Sequence, residues 1–400
     1  MPASYSLFPK FQNNNSKYAK YGEVVSNLLQ GLNVYHFGVG DFGSSLLNDG
    51  SLWFNASGGA GTFRANFKNI SDRTLTKIQY LFEGSQTGMA PISGYAFNSG
   101  GWATGGSLTI PNGSMVSPSV TWSNSLTLPT PLAPNNDGSM SIVMGSGWWP
   151  GGKYFGNDIW PESQHVSSPL FLEGNYLTGG GSGSLTIGPL NNRLIGEFVG
   201  SPIVWWGWFG DSTAAMVRPL AASYNSSKEG VWHFANNAAI SANHNVRNTS
   251  FGQGGASWSE IQARVRAHIP YLAGKINVVS VMVWTWNEPP GSIAEANTKW
   301  SEWLTLKSEI ESYGLKAVPY ILHPPSTRNS AGQLDGFDTT RSNVVAAGGL
   351  TFDQFVSSGR NIIGAYSEDN IHLNRDGGFV QGVAAEPLIY AKTVSLGFAV

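Results

Sequence analysis

The sequence predicts an all-β half followed by an α/β half, and two observations carry that prediction. The chain changes rhythm near residue 195. Before it, apolar runs are short and separated by clusters of Gly, Asn, Ser and Pro; after residue 200 the pattern becomes strand, turn, helix. Many short strands at close spacing predict a β-sandwich over residues 1–195. Alternating β-branched runs and helical periodicity predict a three-layer α/β/α domain with a mainly parallel sheet over residues 196–400.

In the first half, residues 51–54, 61–67, 76–82, 107–110, 119–128, 140–144 and 184–187 read as strands, with a helix ahead of them at 16–32. In the second half, 203–209 is a buried strand, and 231–235 and 240–242 read as short strands. Residues 258–273 have helical periodicity that Pro270 is expected to cut short. The run 278–284 has the apolar, β-branched character of a parallel core strand. A helix at 293–313, strands at 316–322 and 361–366, and a helix at 378–392 kinked or broken by Pro387 complete the pattern.

Composition narrows the function classes. Of 400 residues only 12% are charged, the formal net charge is −2, and there are 50 glycines and 15 tryptophans. The surface is therefore mostly neutral and polar, without the clustered Lys and Arg that nucleic acid or an anionic membrane requires. No window is apolar over the ~18 residues of a membrane span. Cysteine is absent, which removes disulfides, thiolate metal sites and cysteine nucleophiles. His233, His244 and His268 lack metal-ligand spacing, and no metal or cofactor is expected. The start of the chain, MPASYSLFPKFQNNNSK, has no apolar run after its first basic residues and does not read as a signal peptide. Gly38-Val39-Gly40-Asp41-Phe42-Gly43 spells G-x-G-x-x-G, but no helix opens after it, so it reads as a turn.

Two short motifs carry chemistry. Gly210-Asp211-Ser212 follows the 203–209 strand and opens a short helix, where unpaired backbone N–H groups face outward and can stabilise an oxyanion. By itself Ser212 also reads as a plain helix N-cap. Near the far end stands Asp369-Asn370-Ile371-His372, with a carboxylate and an imidazole three residues apart. A serine hydroxyl needs such a base, and the base needs an orienting carboxylate.

Together these motifs resemble the nucleophile block and the terminal DxxH block of the SGNH (GDSL-type) hydrolase family. Asn287, within Thr285-Trp286-Asn287-Glu288, resembles that family's oxyanion asparagine, with Thr285 in place of a glycine and Glu288 in place of an aspartate. Gly255 is the chosen match to its oxyanion glycine, with Gly252 and Gly254 as alternatives. The resemblance covers about residues 200–395. It implies a flavodoxin-like α/β/α fold and a triad of Ser212, His372 and Asp369. It also implies an oxyanion hole from the Ser212 N–H, the Gly255 N–H and Asn287. Asp211 is expected to brace its turn rather than react.

The aromatic content suggests the substrate. Trp286 and Trp208 flank the motif blocks, and His323 follows a strand of the same sheet; all three are candidate substrate contacts. Trp148, Trp149 and Trp160 sit in a Gly/Pro-rich stretch of the β half that suits a glycan. The expected activity is hydrolysis of an ester on an acylated carbohydrate, with a lipid esterase, lysophospholipase or thioesterase as alternatives. A third reading is a non-catalytic glycan-binding or adhesin protein of a phage tail or cell surface. An extracellular, cell-surface or virion-associated location fits this pattern, and a cytoplasmic one is compatible with the cysteine-free sequence.

Overall fold

A computed structural model of the chain describes residues 40–41, 61–68, 73–84, 87–114, 117–134, 136–145, 170–173, 177–178, 192–198, 203–215, 231–253, 255–326, 329–358, 361–367 and 371–400. The expected helix at 16–32, the expected strands at 51–54 and 184–187, and Trp148, Trp149 and Trp160 lie outside these residues.

The first half contains β1 (Gly40–Asp41), β2 (Gly61–Lys68), β3 (Leu75–Gly84), β4 (Ile92–Asn98) and β5 (Trp102–Gly105). It continues with β6 (Ser119–Trp122), β7 (Leu126–Leu132), β8 (Asp137–Met144), β9 (Leu170–Glu173) and β10 (Asn192–Phe198). They form two antiparallel sheets, one ordered β1-β10-β3-β6 with β7 also on β3, the other β5-β4-β8-β2-β9. The expected strand at 119–128 is two strands, broken where the Ser123 hydroxyl accepts from the Tyr80 N–H at 2.9 Å. The expected strand at 107–110 is reduced to an isolated bridge between Leu108 and Ile92.

Strand β3 shows how the halves meet. Successive side chains of a strand point to opposite faces. On one face Tyr80 donates to the Ala96 carbonyl at 2.9 Å and lies edge-on to Tyr95 at 5.7 Å, both on the other antiparallel sheet. On the opposite face Gln79 accepts from Lys275 at 2.8 Å, Leu81 joins the cluster of Trp258, Ile261 and Val265, and Glu83 meets Arg264 and His268. The strand is therefore buried on both sides, and its second face belongs to the α/β half.

The second half runs β11 (Val204–Phe209), α1 (Ser212–Ala215), α2 (Val231–Ser241), β12 (Val246–Ser250), α3 (Trp258–Leu272) and β13 (Val278–Met282). Then follow α4 (Ile293–Ser312), β14 (Lys316–Ile321), α5 (Ala331–Ala346), β15 (Leu350–Thr351), a small β16–β17 hairpin (Ser357–Ser358 with Asn361–Ile362) and α6 (Arg375–Ser395). Strands β11 to β15 are parallel and ordered β12-β11-β13-β14-β15. Numbered within this half, that order is 2-1-3-4-5, the flavodoxin-like winding, whose ligand crevice lies beyond the strand carboxyl ends where the order reverses.

Alternation along β11 divides the core. Trp205 and Phe209 face the cluster formed with α3, α4 and α5 through Val265, Trp303 and Phe337. Val204, Trp206 and Trp208 face the cluster formed with α2 and α6 through Trp232, Ala385 and Ile389. The α/β half is thus three-layered, as expected.

Three local expectations are corrected. Residues 231–241 form a helix rather than short strands, because Trp232, Ala235 and Ala239 fall on one buried stripe at helical spacing. The strand there is β12, Val-Arg-Asn-Thr-Ser, whose polar residues conceal a fully buried core position. The Arg247 guanidinium is satisfied by the His244 and Val246 carbonyls at 2.7 Å, and Asn248 by Asn236 and Trp208. The strand expected at 361–366 is a two-residue strand followed by a 3₁₀ turn, Gly364–Tyr366. Neither Pro270 nor Pro387 ends its helix. Burial of Leu272 beyond the first, and of Ile389 beyond the second, outweighs a proline cost of about 3 kcal/mol.

Candidate active site

Strand β11 ends at Phe209, and the chain then turns through Gly210 into α1. A side chain at Gly210 has no room: a Cβ there would sit 2.6 Å from the Ala214 Cβ, 2.9 Å from the Tyr320 hydroxyl and 3.1 Å from the Met282 Cβ. The tight turn delivers Ser212 at the first position of α1, half-buried, beyond the carboxyl end of a central strand.

His372 arrives from the other end of the sequence. Its Nε2 lies 2.9 Å from the Ser212 Oγ, across 160 residues of chain. The segment that carries it is cinched at its base. Ser367 bridges Leu373, the Ser367 hydroxyl donates to the His372 carbonyl at 2.7 Å, and the Asn374 N–H donates to the Tyr366 carbonyl at 2.8 Å. Asn374 then caps α6 by accepting from the Gly377 N–H at 2.9 Å. Asp369, the expected orienting carboxylate, lies outside the described residues, as does Gly254.

Asp211 is fully buried and accepts four hydrogen bonds. Oδ1 takes the Thr213 N–H at 2.9 Å and the Thr213 hydroxyl at 2.6 Å; Oδ2 takes the Thr285 hydroxyl at 2.6 Å and the Trp286 N–H at 3.2 Å. One carboxylate therefore caps α1 and fastens the segment after β13 to the segment after β11. Burial, and then the charge of Asp211, push the Tyr320 phenol well above its ordinary range, so it stays a neutral donor to the Phe209 carbonyl at 3.1 Å.

Thr285 stands where the resembled family has a glycine, and its hydroxyl has a use. Its single hydrogen goes to Asp211, the shorter and charged partner, and its oxygen accepts from the Asn287 N–H at 3.3 Å. The Asn287 amide nitrogen donates to the Ala256 carbonyl at 3.1 Å and reaches the Thr285 oxygen at 3.5 Å, a weak second contact that an incoming acceptor can replace. Asn287 itself is exposed. Glu288 accepts the Trp258 N–H at 2.9 Å and pairs with Lys299 at 3.1 Å, while Lys299 also donates to the Glu288 carbonyl at 2.6 Å. The block 285–288 is thus tied to α1, α3 and α4 at once.

The glycine-bearing turn lies alongside the Gly210–Ser212 turn. The Phe251 N–H donates to the Trp208 carbonyl at 2.7 Å and the Gln253 N–H to the Gly210 carbonyl at 2.9 Å. Gly255 is exposed and takes φ +74°, a left-handed conformation that favours glycine. The turn ends in a capping box on α3, with the Ser257 hydroxyl and the Glu260 carboxylate satisfying each other's backbone N–H groups.

The remaining expected substrate contacts fare differently. Trp208 is fully buried, stacked against Trp206 at 5.3 Å and Trp232 at 3.9 Å, with Nε1 donating to Asn248 at 2.9 Å. It is a core residue, because even positions of β11 face α2 and α6, and it has no surface to offer a substrate. His323 follows β14 but is only 3% exposed. Trp286 is half-buried beside Asn287, edge-on to Trp284 at 5.3 Å. No group of three or more His, Cys, Asp or Glu residues suited to a metal ion occurs among the described residues, and no described helix is long and apolar enough to cross a membrane.

No protein-family model and no curated sequence matches the chain. Solved structures do. A G-D-S-L family protein from Desulfitobacterium hafniense is 15% identical, over 46% of this chain and 99% of its own, with a TM-score of 0.34. A lipase/acylhydrolase from Enterococcus faecalis is 15% identical, over 48% and 97%, with a TM-score of 0.35. An acetylxylan esterase from Geobacillus stearothermophilus, solved as a catalytic mutant, is 14% identical, over 47% and 94%, with a TM-score of 0.35. Over slightly less than half its length, at low identity, the chain is similar to lipolytic hydrolases of the G-D-S-L type and to acetylxylan esterases.

Proposed function

We propose that residues 196–400 are a serine ester hydrolase that removes O-acetyl groups from a carbohydrate. The observation that carries the reading is the 2.9 Å contact between Ser212 Oγ and His372 Nε2 at the carboxyl end of the sheet. In this mechanism His372 takes the hydroxyl proton as Ser212 attacks the ester carbonyl, then delivers it to the leaving alcohol. Water, activated by the same imidazole, releases acetate from the acyl-enzyme. Asp369 is the proposed orienter of His372. The weakly held second amide hydrogen of Asn287, 3.5 Å from the Thr285 oxygen, turns to the oxyanion and stabilises it together with the Ser212 and Gly255 N–H groups.

A sugar substrate is supported by the neutral polar composition and by Trp286 beside Asn287, since a neutral glycan asks for hydrogen bonds and aromatic faces rather than charge. The two antiparallel sheets, read as a sandwich over residues 1–195, would hold the polymer or position the catalytic half. Acetate release from acetylated polysaccharides, compared with hydrolysis of long-chain p-nitrophenyl esters, is the test. Faster turnover of the acetyl substrates is expected; a strong preference for long acyl chains would defeat the carbohydrate reading and favour a lipid esterase or thioesterase.

Asn287→Ala tests the oxyanion assignment separately. A lost oxyanion donor costs about 10²–10³ in kcat with little effect on KM, because the bond forms mainly in the transition state. Steady-state kinetics on p-nitrophenyl acetate read this directly, and an unchanged kcat removes Asn287 from the site.

A further inference from the structure

Behind the candidate site lies a buried cluster that the proposed chemistry does not use. Glu83 of β3 is 1% exposed, Arg264 of α3 is 3% exposed and His268 is fully buried. Arg264 Nη2 donates to Glu83 Oε2 at 2.8 Å, and His268 Nε2 lies 2.9 Å from Glu83 Oε1. His268 Nδ1 meets the Arg264 carbonyl at 2.7 Å, so the ring braces the helix turn that carries the guanidinium. Buried charges of this kind are weak evidence for stability, since well-packed apolar residues often serve as well. Their placement calls for another account.

The second bond of Arg264 supplies it. Its Nε donates to the Phe251 carbonyl at 3.0 Å. Phe251 is the first residue of the turn that leads to Gly255, and its ring is stacked on Phe209 at 4.8 Å and edge-on to His268 at 5.3 Å. The chain direction there is held from the front by the Trp208 and Gly210 carbonyls and from behind by Arg264. A planar guanidinium spans a carboxylate on one sheet and a backbone carbonyl in the turn just past a strand of the other with fixed geometry.

We infer that Arg264 is a positioning residue for the Phe251–Gly252–Gln253 turn and the oxyanion glycine beyond it, and that Glu83 of the antiparallel half holds Arg264 in register. Through Glu83 the β half thereby contributes to the site's geometry. The catalytic part of this inference rests on the ester-hydrolase reading; the mechanical part does not.

Two readouts on the full-length chain separate them. In Arg264→Lys, an ammonium can reach Glu83 or the Phe251 carbonyl but cannot fork to both. Amide hydrogen exchange at Gly252, Gln253, Gly255 and Ala256 is expected to accelerate, while β13 stays protected. The kcat for p-nitrophenyl acetate is expected to fall about tenfold or more, the scale of a small misplacement, with KM nearly constant. Glu83→Asp, which shortens the reach to Arg264, is expected to give the same pattern more weakly. Glu83→Gln keeps an oxygen for Arg264 and offers an N–H to a neutral His268, so it is expected to restore both readouts. Burial favours that neutral ring.

A lower melting temperature in Arg264→Lys with unchanged turn exchange and kcat would overturn the inference. So would Glu83→Gln loosening the turn as much as Arg264→Lys. If Ser212→Ala retains activity, the hydrolase reading fails, and the exchange result still decides the positioning role.

Discussion

Ser212→Ala is expected to abolish ester hydrolysis and leave the fold almost untouched. The activity loss follows from the 2.9 Å approach of His372 Nε2, which gives the Ser212 hydroxyl an imidazole to take its proton. Removing a serine nucleophile from such a unit costs about 10⁶ in kcat. The stability half of the prediction follows from Asp211. Ser212 in isolation reads as a helix cap, and replacing a cap serine typically costs about 1 kcal/mol. In the folded chain Asp211, not Ser212, accepts the Thr213 N–H, so the hydroxyl has no capping duty and the change should stay within about 0.5 kcal/mol. His372→Ala should lose a comparable factor, and the double variant should be little worse than either single one, because the pair acts as a unit. Burst kinetics with p-nitrophenyl acetate and chemical denaturation measure the two halves. Residual hydrolysis at wild-type rate in Ser212→Ala would end the assignment.

The site was legible where chemistry constrains residue type, and illegible where packing alone did. Ser212 and His372 were predicted to meet because a hydroxyl nucleophile needs an imidazole, and the fold places them in contact. The block 285–288 was picked out by the family resemblance rather than by its own chemistry, and the Thr285 departure there becomes intelligible only when its hydroxyl is found on Asp211. The parallel sheet was legible from β11, β13 and β14, whose apolar runs announce burial on both faces. Strand β12 was not, because Arg247, Asn248 and Thr249 look like loop residues until Asn236, Trp208 and nearby carbonyls are found to satisfy two of them. Helix α5 (Ala331–Ala346) escaped for a related reason: its Gly, Asp, Thr and Ser content dilutes the stripe of Phe337, Thr340 and Val344 that it buries. The tryptophans of β11 misled in another way. A row of aromatics before a nucleophile suggests a substrate platform, but strand alternation sends Trp208 into the core. The partnership of Glu83 with Arg264 and His268 joins residues more than 180 positions apart, and no local pattern encodes it.

Asp211→Asn should be the most damaging conservative change at the site outside the nucleophile and its base. Four donors converge on this carboxylate, from Thr213 on one side and from Thr285 and Trp286 on the other. An asparagine keeps one acceptor oxygen and turns an N–H₂ toward one of those pairs of donors, leaving buried groups unpaired at about 1–3 kcal/mol each. If the amide faces Thr285 and Trp286, the link between the Gly210–Ser212 turn and the Asn287 segment opens, and the proposed oxyanion donor loses its fixed direction. A fall in kcat of about 10²-fold is expected, together with a stability loss of about 2–4 kcal/mol. Thr285→Val removes one of the four donors while keeping the shape, so it should cost less by itself. It should also cost still less in the Asp211→Asn background, because the two residues share one hydrogen bond and their effects are not additive. A double-variant cycle, read by denaturation and by kcat on p-nitrophenyl acetate, measures that coupling. Additive losses would mean that Asp211 and Thr285 act independently, and that the two walls of the site are held together by something other than this carboxylate.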